Sequence, residues 1–345
     1  MRRKEPGRVL FAVLAAVLLA LGGCAPGIAP RLAAHQPAAI QDDAFVMPDG
    51  TALPYQRWGP EASPRATVIA LHGFNDYSGA YRDLGPLLAR HGLLVYAYDQ
   101  RGFGGTSMRG DWAGTAAMTE DLGTVTELLH AAHPHLPVYA IGESMGGAVI
   151  MAALAGDTPP RLHGAVLSAP AVWGRSTLTS WQRFILTLGA HIAPRVHVRP
   201  YSLPSLPSDN IEMLRQLQRD PMMIKETRIE AAWGLTGLMD DALAAAPRLT
   251  APMLVLYGAQ DGIIPRGPTC RMLETLPDAA DGSRHWQVAL YENGYHMLFR
   301  DLHGDRVSAD IAAWLGDPQA ALPSGAEIRP PNRARPVPEF CRAED

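Results

Sequence analysis

Val138-Tyr139-Ala140-Ile141-Gly142-Glu143-Ser144-Met145-Gly146-Gly147 is the stretch that decides the fold. Its first four residues are an apolar run of strand length, and residues 145–155 carry helical spacing, so a serine between glycines stands at a strand-to-helix turn. A turn that sharp holds its serine in a strained backbone conformation, and a Cβ at either flanking glycine would collide with neighbouring backbone. In a chain with 33 glycines the G-x-S-x-G pentapeptide alone carries little weight. Its position between strand and helix is what points to an exposed nucleophilic hydroxyl.

Working outward, short apolar runs at 67–71, 93–98, 165–167, 253–257 and 286–290 alternate with helical patterns at 81–90, 119–132 and 306–315. Buried runs alternating with helices predict an α/β fold, a mostly parallel, doubly wound sheet with helices on both faces. Residues 44–47 and 52–58 flank Pro48-Asp49-Gly50, a turn signal that predicts an antiparallel hairpin at the sheet edge. The series is interrupted at about 171–247 by a segment rich in Leu, Met and Trp, which we read as a helical cap inserted above the sheet; extra helices on the side of the domain are the alternative. Its residues Trp173, Leu178, Trp181, Phe184, Ile185 and Leu188 either line an acyl tunnel or form the cap's own core, with the tunnel slightly favoured. The domain is expected to span 44–316. A Pro-rich tail, 317–345, is expected to be extended, and its docking is not legible.

A serine hydroxyl is a weak nucleophile at neutral pH and needs an imidazole to take its proton and a carboxylate to fix that imidazole's tautomer. For a nucleophile on this kind of turn the acid follows along the chain and the histidine comes last. Asp261 lies directly beyond the strand at 253–257, where open α/β sheets keep their sites, whereas Asp240 and Asp241 fall on a cap helix and read as a solvated face. His296 lies in a loop after the last strand; His285 precedes that strand and His303 sits near the final helix. The catalytic set is therefore Ser144, Asp261 and His296. Charge developing on the substrate's carbonyl oxygen calls for two backbone N–H groups, assigned to Met145 at the helix start and Phe74 in the loop His72-Gly73-Phe74-Asn75. His72 is given the task of holding that loop's shape. No cofactor is needed, and no Cys/His cluster has the spacing of a metal site.

The 30 basic and 34 acidic residues give a net charge of -4 without long single-sign runs, which argues against a nucleic-acid partner. Arg2, Arg3, Lys4 and Arg8 precede an apolar run at 9–21, too short to span a bilayer comfortably, so residues 1–23 read as a signal peptide. Leu21-Gly22-Gly23-Cys24 resembles the lipobox of bacterial lipoproteins, which implies acylation of Cys24, a membrane partner through that anchor, and a lipidated tether over 24–43. With Ala25 next, the resemblance implies the bacterial envelope, at the outer membrane facing the periplasm. Cys270 and Cys341 are left; an oxidising compartment permits their pairing, but spacing does not decide it.

Together, His72-Gly73-Phe74 with Tyr77-Ser78-Gly79, Asp99-Gln100-Arg101-Gly102-Phe103-Gly104 with Ser107, the Ser144 pentapeptide, Asp261 and His296 resemble the monoacylglycerol lipase and lysophospholipase group of α/β-hydrolases, related to serine aminopeptidases, over about residues 44–316. The resemblance implies an α/β-hydrolase fold and a serine esterase acting on monoacylglycerol, lysophospholipid or similar acyl esters. It also implies that Arg101 and Ser107 are scaffold. Glu143 departs from the animal enzymes, which usually carry His there, and bears on substrate identity. Rival readings are an acyltransferase or peptidase on the same triad, or a catalytically silent binding lipoprotein.

Overall fold

A computed structural model of the chain describes residues 26–60, 62–199, 206–278, 285–328 and 339–341. Residues 1–23, read above as a signal peptide, and Cys24 lie outside them. A nine-stranded sheet forms the centre. In chain order its strands are β1 (Ala39–Ile40), β2 (Ala44–Val46), β3 (Ala52–Trp58), β4 (Ala66–Leu71), β5 (Leu93–Tyr98), β6 (Val138–Glu143), β7 (Gly164–Ser168), β10 (Met253–Gly258) and β11 (Trp286–Tyr291). The spatial order is β1-β2-β3-β5-β4-β6-β7-β10-β11; pairs out to β5 are antiparallel and the rest parallel. The predicted hairpin is β2–β3, with Phe45 opposite Leu53.

The parallel strands read as unbroken apolar runs because both faces are covered. In β4, Ile69 and Leu71 enter one core while Val68 and Ala70 enter the other; in β5, Leu94, Tyr96 and Tyr98 divide in the same way from Leu93, Val95 and Ala97. Helices α2 (Thr115–Ala132) and α3 (Met145–Leu154) seal the first face with Leu122, Val125, Leu129, Ile150 and Met151. Helices α1 (Leu84–Arg90) and α8 (Gly304–Gly316) seal the second with Leu84, Leu88, Ile311 and Trp314. Burying each such side chain stabilises the fold by about 1.5–3 kcal/mol. Helix α7 (Arg266–Thr275), which the sequence reading did not anticipate, follows β10.

Between β7 and β10 lie α4 (Ser180–Ile192), α5 (Ile211–Arg219), α6 (Ile229–Ala245) and a small ribbon of β8 (His197–Val198) with β9 (Thr227–Arg228). This segment reaches over the ends of the strands: Ile224 N–H donates to the Asn75 carbonyl and the Met297 N–H to the Pro207 carbonyl. It is a cap. The acyl-tunnel expectation for α4 fails, however, because Trp181, Phe184, Ile185 and Leu188 are 69, 53, 47 and 43 % exposed. Their spacing makes one stripe of a helix and cannot tell which way the stripe faces. Asp240, read as solvated, instead accepts hydrogen bonds from the Ser176 N–H and hydroxyl and pairs with Arg175.

The N-terminal segment differs from expectation, and the C-terminal tail, whose docking the sequence left open, is held to the sheet. Residues 26–43 are no free tether where described: Gly27 N–H donates to Glu230, Ala29 N–H to the Trp112 carbonyl, and His35 N–H to the Pro48 carbonyl. The tail docks too, since Leu290 N–H donates to the Ala326 carbonyl and Ile328 N–H to the Val288 carbonyl, along the edge of β11. Beyond, Phe340 stacks on Tyr257 and Cys341 is disulfide-bonded to Cys270 of α7, with a Cα separation of 5.5 Å.

Candidate active site

Strand β6 delivers Ser144 at the start of α3 with φ 51° and ψ -111°, a conformation that costs a non-glycine residue about 1–3 kcal/mol. Three backbone bonds impose it: Ser144 N–H donates to the Ser168 carbonyl at 2.9 Å, while the Ser144 carbonyl accepts from Ala148 and Ala171. The glycines make the turn possible. A Cβ on Gly142 would lie 2.4 Å from the Gly146 carbonyl carbon, and one on Gly146 would lie 2.1 Å from the Leu71 oxygen. The Ser144 side chain makes no capping bond to its helix, which leaves the hydroxyl for other partners.

Asp261 and His296 come from loops after β10 and β11, two and three strands away from β6. The loops are laced together by Gln260 N–H donating to the Gly294 carbonyl and Ala259 N–H to the Tyr291 carbonyl. Asp261 is buried. One carboxylate oxygen accepts from the Ile263 and Ile264 amides at 2.8 and 3.0 Å; the other lies 2.9 Å from His296 Nδ1. An ionised carboxylate only accepts, so the proton sits on Nδ1, and Nε2 is left with a lone pair. No hydrogen bond joins the Ser144 hydroxyl to His296 among the described residues, a contact that commonly tightens only with substrate bound. His296 does lie within electrostatic reach of Glu143, the residue before Ser144.

The loop carrying Phe74 passes against Ser144, where a Cβ on Gly73 would stand 3.6 Å from Ser144 Cβ. Among the described residues neither the Phe74 nor the Met145 N–H has an acceptor. His72 shapes this loop. Its Nε2 accepts from Gln100 N–H at 2.9 Å, so its Nδ1–H donates to the Gly73 carbonyl, and burial pushes its pKa down, keeping it neutral. Arg101 is scaffold, donating to Asp49, Thr51 and Asp121, while Ser107 is exposed. No cluster of three or more His, Cys, Asp or Glu suited to a metal occurs among the described residues.

One functional element escaped the sequence reading. Arg300, four residues past His296 and buried, donates to Asp76 at 2.8 Å and pairs with Glu143. Burial opposes the Arg300 cation, yet the two carboxylates outweigh it and raise its pKa. Burial also raises the Glu143 carboxyl, against the pull of Arg300. A single guanidinium thus ties together the nucleophile turn, the Phe74 loop and the His296 loop. The signal was Glu143 itself, since a buried acid at the end of a largely buried strand requires a cationic partner.

The profile of the family described as serine aminopeptidase, S33 matches residues 62–303. A monoacylglycerol lipase of Mycolicibacterium smegmatis is 27 % identical over 79 % of this chain and 96 % of its own length. Human monoglyceride lipase is 25 % identical over 75 % of this chain and 84 % of its own. Among solved structures, a Paleococcus ferrophilus monoacylglycerol lipase superposes with a TM-score of 0.64 at 24 % identity, covering 76 % of this chain and 98 % of that one. A Saccharomyces cerevisiae monoglyceride lipase bound to a substrate analog gives 0.67 at 19 %, covering 86 and 98 %. With the profile spanning most of the sheet and the cap, the chain belongs to the S33 serine aminopeptidase family of α/β-hydrolases.

Proposed function

We propose that the chain is a serine hydrolase cleaving carboxylic esters, with Ser144 as nucleophile, His296 as general base and Asp261 as its orienting acid. The observation that carries this is the Asp261–His296 bond, formed at the ends of β10 and β11 in a sheet whose β6 ends in the strained Ser144. Ser144 Oγ attacks the ester carbonyl carbon as its proton passes to His296 Nε2, and the Phe74 and Met145 amides receive the oxyanion. Collapse expels the alcohol, which takes the proton from His296; water activated by the same imidazole then releases the acid and restores Ser144. The substrate class is monoacylglycerol, lysophospholipid or a similar acyl ester, supported by the lipases among the relatives and by a 23 % identical phospholipase of Bacillus subtilis. Cys24, we further propose, carries the lipid anchor that holds the enzyme at the outer membrane, facing the periplasm.

A form beginning after Cys24 should hydrolyse acyl esters from a panel running from acetyl to palmitoyl and including monoacylglycerols, and Ser144→Ala should lose several orders of magnitude in kcat while keeping its melting temperature. Matching amides belong in the same panel. Turnover of amides but not esters would make the enzyme a peptidase; a folded protein inert on both would leave only the binding reading.

A further inference from the structure

The surface of α4 is the reverse of what water selects. Trp181, Phe184, Ile185, Leu188 and Ile192 fall at helical spacing on one stripe, and all are exposed, with the Trp181 and Phe184 rings stacked at 5.8 Å. Val196, just past the helix, is 52 % exposed. Contiguous apolar surface of this kind is rare on a monomer without something to cover it. Arg183, on the opposite face of α4, and Arg195, three residues past its end, make no ion pair among the described residues. An apolar helical face with cations on its polar side and at its end is what an interfacial helix offers a lipid surface.

The docked N-terminal strap says which surface that is. Gly27 N–H donates to Glu230 at 3.2 Å, and Glu230 N–H in turn donates to the carbonyl of Pro194, two residues beyond the end of α4. Gly27, Ile28, Arg195 and Glu230 line one shared cleft of 220 Å³. The strap is pinned further along by Ala29 on Trp112 and by Arg31, which pairs with Asp49 and Glu120. Gly27 is three Cα-to-Cα steps from Cys24 in the sequence, and so short a length reaches about 11 Å at full extension. Any lipid on Cys24 therefore enters a membrane beside the end of α4. Ile28 and Leu32 of the strap, 67 and 70 % exposed, add apolar surface on the same segment.

We infer that the strap orients the enzyme, holding it so that the apolar face of α4 rests on the bilayer carrying the Cys24 anchor. The inference depends on the anchoring of Cys24 proposed above. The strap replaces the loose tether that its Ala- and Pro-rich composition suggested, and the cap over Ser144 then faces the phase in which acyl esters dissolve.

Trp181 is the only exposed tryptophan among the chain's seven, which makes it the reporter. The full chain, purified with its lipid, is placed in phosphatidylcholine vesicles brominated on their acyl chains, and the mass of its N-terminal peptide is measured in parallel. Bromine should quench wild-type fluorescence, with the quenching at least halved in Trp181→Phe. A twelve-residue Gly/Ser insertion between Ala25 and Pro26 frees the anchor from the strap; it should reduce the Trp181 quenching at least twofold while the protein stays in the vesicles and hydrolyses a soluble short-chain ester at the wild-type rate. Acylated protein whose quenching does not depend on Trp181 would overturn the docking of α4. Unchanged quenching after the insertion would overturn the strap's role, and an N-terminal peptide without acyl mass would remove the anchor on which both depend.

Discussion

At the scale of single residues, the proposed site rests on three groups that each follow a strand and on one that the sequence hides. Ser144, Asp261 and His296 are legible because each follows a strand, and strand ends are recognisable from apolar runs. Arg300 is not, because nothing local in Met297-Leu298-Phe299-Arg300 reveals that two carboxylates from distant loops will meet it. Its energetic weight should be large. Truncating one member of a buried ion-pair set leaves the others charged and unpaired, so Arg300→Met should destabilise the fold by about 3–5 kcal/mol. Arg300→Lys, which keeps the charge but not the fork of donors, should lose less. In Arg300→Met with Glu143→Gln the buried carboxylate beside Ser144 is gone as well, and part of the loss should return. Urea unfolding of the three variants checks the ranking; equal losses in all three would mean that packing, not charge, is what Arg300 supplies.

At the scale of elements, strands β4, β5, β6, β7 and β10 could be read from the sequence because burial on both faces leaves a largely apolar run, and the edge strand β11 from its apolar residues around Gln287. The cap was legible as an insertion but not in its orientation, since a stripe on α4 has the same spacing whether it faces a tunnel or solvent. The chain ends were the least legible, because the strap and tail are held by backbone bonds to distant segments that composition does not encode. The tail also covers the edge of β11 and is closed by the Cys270–Cys341 disulfide, spanning 71 residues. A loop of that length stabilises mainly by restricting the unfolded chain, by about 2–4 kcal/mol, comparable to one or two buried leucines. Cys341→Ser should therefore lower the melting temperature without changing ester hydrolysis, as α7 carries no triad residue. A variant melting with the wild type under oxidising conditions would show that the tail adds nothing to stability.

At the scale of the whole molecule, cap and body are joined near His296 by Asp301, which accepts from the Ser208 hydroxyl of the cap and from the Tyr295 N–H of the His296 loop. Burial raises its carboxyl from 3.8 to about 6, with Ser208 and Tyr295 pulling the other way. Between roughly pH 4 and 6 the folded protein holds a proton that the unfolded chain has released, so this group's contribution to stability is greatest in acid and declines as pH rises through that window, by about 3 kcal/mol for a shift of this size. Asp49 acts with the opposite sign. Burial works against its charge, but Arg101 and Thr51 hold it down at about 2, so its contribution is present above about pH 4 and is lost only as pH falls towards 2. The two windows barely overlap, so the Asp301 slope can be isolated. In Asp301→Asn the amide oxygen can accept from Tyr295, the Ser208 hydroxyl can turn to accept from the amide, and the titration is gone. Urea unfolding between pH 4.5 and 6.5 should show the wild type losing more stability with rising pH than the Asn variant, and the difference between the two slopes is the Asp301 contribution, since the shifts at His72 and Glu143 are common to both. Parallel slopes in the two proteins would place the titrating group elsewhere and leave Asp301 as a hydrogen-bonding hinge between cap and body without a role in pH dependence.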